Sequence, residues 1–306
     1  MNLAVRFGAL ELRNPVTVAS GTFGYGREFA ELVDLRALGA IITKTITRQP
    51  RQGNPQPRLA ETAAGMLNAI GLQNEGLENF LREKWPQLRE YGAPVIVSIS
   101  AQDAADFAAM ASTLEQAGVQ AVELNLSCPN VAYAKLAAGA AVYAQIPEAV
   151  AEIVARVRQA VSLTIFAKLS PNVTDIVPIA RAAETAGADA LSLVNTVIGM
   201  AIDIDTWKPK VANVTGGLSG PAIKPIAVRM VHAAAKAVSI PVLGMGGIAA
   251  TADAVEFLLA GATAISVGTA NFVNPAVSME ILAGIEQYCL QRNFSDIREL
   301  IGKVRV

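Results

Sequence analysis

With 306 residues, 52% of them hydrophobic and 17% charged, the chain can bury a large core and lacks the composition of a disordered protein. Its net charge of −1 comes with no basic block, which argues against nucleic acid or an anionic membrane as a partner. Its two cysteines, Cys128 and Cys289, could form one disulfide. They make no disulfide scaffold and cannot supply the thiolates of an iron–sulfur cluster, so a reducing compartment is the default.

In chain order, residues 1–7 lack the charged and long apolar regions of a signal peptide. No apolar run is long enough to span a bilayer, so a cytoplasmic location is expected. Residues 3–7 and 10–13 alternate around Gly8-Ala9 and predict a small β-hairpin. Short β-rich runs then recur at 16–19, 40–43, 95–98, 121–124, 163–166, 190–193, 241–244 and 264–267. Amphipathic helical patterns fall between them at 104–117, 148–160, 175–186, 225–238 and 251–260, several ended by glycine. Alternating strands and helices imply a parallel sheet, because each parallel return needs a crossover. Eight such units predict a (β/α)8 TIM barrel, read as one domain over residues 1–306. An open doubly wound sheet is the alternative, but no Gly-x-Gly-x-x-Gly follows the first strand. Long connections follow the second, fourth and sixth strands, and such loops are usually functional.

In a barrel the loops after the strands build the active face. Polar or glycine residues end every predicted strand: Ser20-Gly21, Lys44-Thr45, Ser98 to Ser100, Asn125 to Cys128, Lys168 to Ser170, Asn195-Thr196, Gly246-Gly247 and Gly268-Thr269. A buried ammonium needs a partner. Lys44 and Lys168 therefore snorkel to solvent, form structural ion pairs, meet an anionic guest, or serve as Schiff-base amines. The glycine pairs after the last two strands are ordinary turns or a phosphate cradle, and their position favours the cradle. Cys128 is either an inert small side chain or a positioned thiol. Cys289 reads as a helix packing residue, and His232, the sole histidine, lies on a helix away from the rim. A nucleophile–histidine mechanism and a transition-metal site therefore both lack candidates.

Several stretches together resemble the dihydroorotate dehydrogenase family, and specifically its class 1B catalytic subunits. They are Ala19-Ser20-Gly21-Thr22-Phe23-Gly24, Thr43-Lys44-Thr45, Asn68-Ala69-Ile70-Gly71-Leu72-Gln73-Asn74 and Asn125-Leu126-Ser127-Cys128-Pro129-Asn130. Further on come Asn195-Thr196, Gly199-Met200-Ala201-Ile202-Asp203, the run from Gly216 to Pro225, and Gly246-Gly247. A cysteine at 128 and no N-terminal membrane-binding extension are unlike the class 2 pattern.

The resemblance implies one FMN on the rim. Its phosphate would sit on Gly246, Gly247, Gly268 and Thr269, with Gly220 nearby. Ser20, Gly21, Lys44, Thr45, Ser98, Asn125, Lys168 and Val194 would contact the rest. Dihydroorotate would be held by Lys44, Asn68, Ala69, Ile70, Gly71, Leu72, Asn125, Asn195 and Thr196. Cys128 would take the C-5 proton while the C-6 hydride passes to the flavin, in the pyrimidine pathway to UMP. Electrons would go to NAD through a partner subunit carrying FAD and a [2Fe-2S] cluster, with a homodimer of this chain inside a heterotetramer. A class 1A-like, fumarate-dependent enzyme is the alternative within the family. A Schiff-base lyase using Lys44 or Lys168 is the alternative outside it. One departure is the alanine-rich stretch 132–146, longer than the family's usual loop at that place and expected to be helical.

Overall fold

The computed structural model describes residues 1–127 and 143–305. Cys128 and most of the alanine-rich stretch lie outside the described residues.

The strands in chain order begin with β1 (Val5–Phe7), β2 (Leu10–Leu12), β3 (Val16–Val18), β4 (Ala40–Ile42), β5 (Leu59–Thr62) and β6 (Gly65–Asn68). Next are β7 (Val95–Ile99), β8 (Ala121–Asn125), β9 (Thr164–Lys168), β10 (Ala190–Leu193) and β11 (Val197–Gly199). The last are β12 (Ile202–Asp203), β13 (Lys208–Pro209), β14 (Gly216–Ser219), β15 (Val242–Met245) and β16 (Ala264–Val267). Eight of these close a parallel barrel in the order β10-β15-β16-β3-β4-β7-β8-β9. The expected (β/α)8 architecture and hairpin are both present. The hairpin pairs β1 with β2 and sets Phe7 against Phe166, ring centroids 5.1 Å apart, so it packs against the barrel interior.

The helices form for local reasons. In Pro147–Ala160 the buried positions Val150, Ile153, Val154 and Val157 recur at helical spacing, and proline starts the first turn. Ala104–Gln116 is capped by Asp103, whose carboxylate accepts from Asp106 N at 2.9 Å. Thr251–Ala260 stops at Gly261, whose φ of +117° needs a residue without a Cβ.

The expected strands match to within a residue or two, and the small differences matter. β8 and β9 run further than the sequence pattern suggests, so Asn125 and Lys168 are ladder residues directly opposite each other. No α-helix follows β3; turns and the short 3-10 stretch Leu35–Ala37 fill residues 19–39. The connection after β4 holds the β5–β6 hairpin and a helical run, Gly76–Asn79, Phe80–Lys84 and Trp85–Glu90, whose middle portion is π-helical. Two helices after β16, Ala270–Val273 and Val277–Gln291, complete the ring. Among the described residues no helix is long and apolar enough to cross a membrane.

The two long connections after β4 and β10 are partners. They form one antiparallel sheet in the order β11-β14-β6-β5. Their contact is close: a Cβ built on Gly65 falls 1.9 Å from Ser219 O, and one built on Gly220 falls 2.7 Å from Gly65 Cα. Gly65→Ala should therefore push β6 from β14 and cost about 1–3 kcal/mol by overpacking. Urea unfolding checks this, and an unchanged midpoint would show that the two loops can separate freely.

Candidate active site

A cavity of about 330 Å³ opens at the C-terminal ends of the barrel strands, and residues of the two-loop sheet line its wall. Ser20 and Gly21 after β3, Lys44 and Thr45 after β4, Asn125 on β8 and Lys168 on β9 all line it. So do Val194, Asn195 and Thr196 after β10, Gly246 and Gly247 after β15, and Gly268 and Thr269 after β16. Asn68, Ile70, Gly71, Leu72 and Gly220 enter from the loops.

Two residues named from the sequence do not line this space. Ser98 is fully buried behind Thr45, its hydroxyl 2.9 Å from Thr45 Oγ1. Strand alternation and register turn Ser98 toward Glu123 on the neighbouring strand, away from the rim. Ala69 is buried, its N–H donating to Arg58 O at 2.8 Å and its carbonyl accepting from Asn54 Nδ2 at 3.1 Å. Those bonds tie it into the loop's own framework.

Other lining residues were not singled out from the sequence. Met66, Leu59 and Ser219 come from the loop sheet, Thr22 from the turn after β3, and Phe272 from the short helix Ala270–Val273. Thr269 Oγ1 donates to Ser219 Oγ at 2.8 Å, joining the last barrel strand to that sheet. Only the pairing of two distant loops brings these groups together. A short-range pattern does not carry such pairing.

The floor is a connected polar network. Lys168 Nζ donates to Ser20 Oγ at 3.0 Å and lies 3.7 Å from Glu123 Oε1. Glu123 is wholly buried and also accepts from Ser98 Oγ at 3.0 Å. Asn125 Nδ2 donates to Thr45 Oγ1 at 3.0 Å. Asn195 Nδ2 donates to Ser127 O at 3.1 Å and to Ser127 Oγ at 2.9 Å. In the sequence Glu123 is legible only as a lone charge in an otherwise apolar strand.

The two lysines differ. Lys168 is an ion-paired floor residue. The Lys44 ammonium has no hydrogen-bond or ion-pair partner among the described residues, and burial pushes its pKa below the ordinary lysine value. Arg58 acts in the same direction, while Glu28 and Glu75 oppose it. It is a half-buried cation whose ammonium an anionic guest would stabilise. Elsewhere, Cys289 is a fully buried free thiol whose pKa burial raises. His232 Nδ1 sits 3.3 Å from Ala260 O and does not line the cavity.

The rim on the β15–β16 side is nearly bare backbone. Gly246 and Gly247 have φ of +124° and +83°, and a Cβ on Gly247 would lie 2.8 Å from Gly220 O. The two glycines thus let the end of β15 pack closely against Gly220, Lys224 and Ala227. The fold and site together define a TIM barrel with a mixed polar and apolar cavity at the C-terminal ends of its strands.

The family model for dihydroorotate dehydrogenase matches residues 2–289, and the chain belongs to that family. It is 51% identical over 306 residues, the whole of both chains, to the dihydroorotate dehydrogenase B (NAD(+)) catalytic subunit of Thermoanaerobacter sp. (strain X514). The similarly named protein of Trichlorobacter lovleyi is 53% identical over 301 residues, covering 98% of this chain and 97% of that one. That of Alkaliphilus metalliredigens is 48% identical over 304 residues, 99% of each.

Proposed function

We propose that this chain is the catalytic subunit of an NAD-linked dihydroorotate dehydrogenase, oxidising dihydroorotate to orotate in pyrimidine synthesis. The observation that carries this is the convergence on one cavity of Lys44, Lys168, three asparagines and a glycine-built cradle. The names of the full-length relatives support the NAD linkage.

The residues present fit FMN. Gly246, Gly247, Gly268 and Thr269, with Gly220, would hold its phosphate. Ser20, Gly21, Thr45, Val194 and Lys168 would line the ring system. When bound, FMN supplies the acceptor for the hydride from C-6. Lys168 keeps a positive charge on the cavity floor, where negative charge would develop. Lys44 takes the substrate carboxylate. Asn68, Asn125 and Asn195 offer donors and acceptors to the imide-like edges of the ring, and Thr196 and the Ile70–Leu72 turn complete the enclosure. Cys128 takes the C-5 proton. Electrons leave toward NAD through a separate electron-transfer subunit carrying FAD and a [2Fe-2S] cluster, two of each chain forming the assembly.

The test is anaerobic. Purified chain should be yellow, bleach with dihydroorotate, and regain colour with NAD only when the partner is added. A colourless chain that ignores FMN would end the reading, and rapid reoxidation by fumarate alone would move it to the fumarate-dependent class. A borohydride-trapped substrate adduct would point instead to Schiff-base chemistry.

Lys44 adds a pH signature. Its pKa is lowered, so the ammonium is intact at low pH and lost as pH rises through a value below the ordinary one. Orotate affinity should therefore start to fall below the pH at which an unperturbed lysine titrates. Lys44→Met should cost about 1.5–3 kcal/mol of orotate binding, roughly tenfold to hundredfold. Flavin spectral titration reads both, and a flat profile in a Lys44→Met chain of unchanged affinity would remove the role.

A further inference from the structure

We infer that Glu123 is a positioning residue that fixes both the hydrogen-bond direction of Asn125 and the charge beside Lys168. The inference rests on the flavin and orotate reading above.

Glu123 lies on β8 with its carboxylate wholly buried, two residues before Asn125 on the same strand face. A carboxylate can only accept. Ser98 Oγ, 3.0 Å from Glu123 Oε1, must therefore donate its one proton there. Thr45 Oγ1, 2.9 Å from Ser98 Oγ, must then be the donor of that pair. With its own proton committed, Thr45 Oγ1 can only accept, and it accepts from Asn125 Nδ2 at 3.0 Å. Every donation runs toward the carboxylate. At the far end, Asn125 shows its second amide proton and Oδ1 to its other neighbours. Oδ1 accepts from Ser127 N and Ser127 Oγ, both at 3.4 Å.

The same Oε1 lies 3.7 Å from Lys168 Nζ, and Oε2 has no hydrogen-bond partner among the described residues. One buried charge thus acts along two arms. One arm ends on an amide at the substrate side of the cavity. The other partly offsets the lysine charge at the flavin side. A plain counterion for Lys168 would need only the second arm.

The test compares holoenzyme of wild type, Glu123→Gln and Ser98→Ala. The readouts are the flavin midpoint potential by dye equilibration, FMN affinity by fluorescence quenching, and orotate affinity by spectral titration. Glutamine removes the negative charge beside Lys168, which favours the more negative redox state of the flavin. The potential should move to a less negative value by about 30 mV, a tenfold change for a two-electron couple. Its amide can also donate to Ser98 and reverse the relay, so orotate should bind about tenfold more weakly. Ser98→Ala cuts only the relay. It should weaken orotate binding while the potential and FMN affinity stay at wild-type values.

Unchanged potential and orotate affinity in Glu123→Gln overturn the inference. So does a potential shift in Ser98→Ala equal to that of Glu123→Gln, because packing alone would then explain both. If Glu123→Gln does not fold, Ser98→Ala decides: weaker orotate binding at constant potential supports the relay, and unchanged binding overturns it. Wild-type chain that binds no FMN would sink the functional reading and this inference together. Wild type that binds and bleaches while both variants behave like it would sink this inference alone.

Discussion

Lys168→Met should destabilise the chain by about 3–5 kcal/mol, because it leaves the Glu123 carboxylate buried without its counter-charge. The pair is separated by 3.7 Å, and the two side chains are 6% and 0% exposed, so the carboxylate is left with little access to water. Ser98 still donates to Oε1, but one neutral hydrogen bond does not solvate a full charge. Domains of ordinary size are stable by about 5–15 kcal/mol, so the loss is a large share of the total. Adding Glu123→Gln to the same chain should restore most of it, since a neutral amide removes the uncompensated charge. Urea unfolding of the apoprotein measures both, with a lower midpoint at unchanged slope for Lys168→Met. A single variant that unfolds at the wild-type midpoint would show that the carboxylate is solvated by other means.

That buried pair also marks where sequence reading stops. Strand period and glycine stops place all eight barrel strands, and the ends of those strands supply most of the cavity lining, because in a TIM barrel a strand end is a site position. Lys44 and Lys168 stood out as charges after apolar runs. Glu123 did not, although its fate is linked to Lys168, because the linkage needs the β8–β9 register. Ser98 shows the same limit from the other side. A serine at a strand end looks like a rim residue, yet register turns its hydroxyl inward to Glu123. The loop sheet is the larger omission. β6 and β14 are some 150 positions apart, with Leu218 opposite Leu67, and local composition gives no reason to pair them. What the residues do show afterwards is permission: Gly65, Gly216, Gly217 and Gly220 let two backbones come close enough to roof the cavity.

Cys128→Ala should slow dihydroorotate oxidation by about 10²–10⁴-fold near neutral pH, the usual worth of a positioned general base. The reasoning starts from what else could do the work. Among the described lining residues, Lys44 and Lys168 are the only ionisable side chains, and none is a carboxylate or a histidine. Lys168 is engaged with Ser20 and Glu123. Lys44 is the cation proposed for the substrate carboxylate, and as an ammonium it has no lone pair to accept a proton. Ser127, the last described residue before Cys128 in the chain, is held by Asn195 and Asn125. A thiol with an ordinary pKa of about 8.5 can act as base near neutrality, whereas a serine hydroxyl cannot do so unaided. Cys128→Ser should accordingly regain rate as pH rises, and both variants should keep FMN. Stopped-flow bleaching of the bound flavin under anaerobic conditions separates this step from reoxidation. If alanine at 128 leaves bleaching at the wild-type rate, Cys128 is not the base.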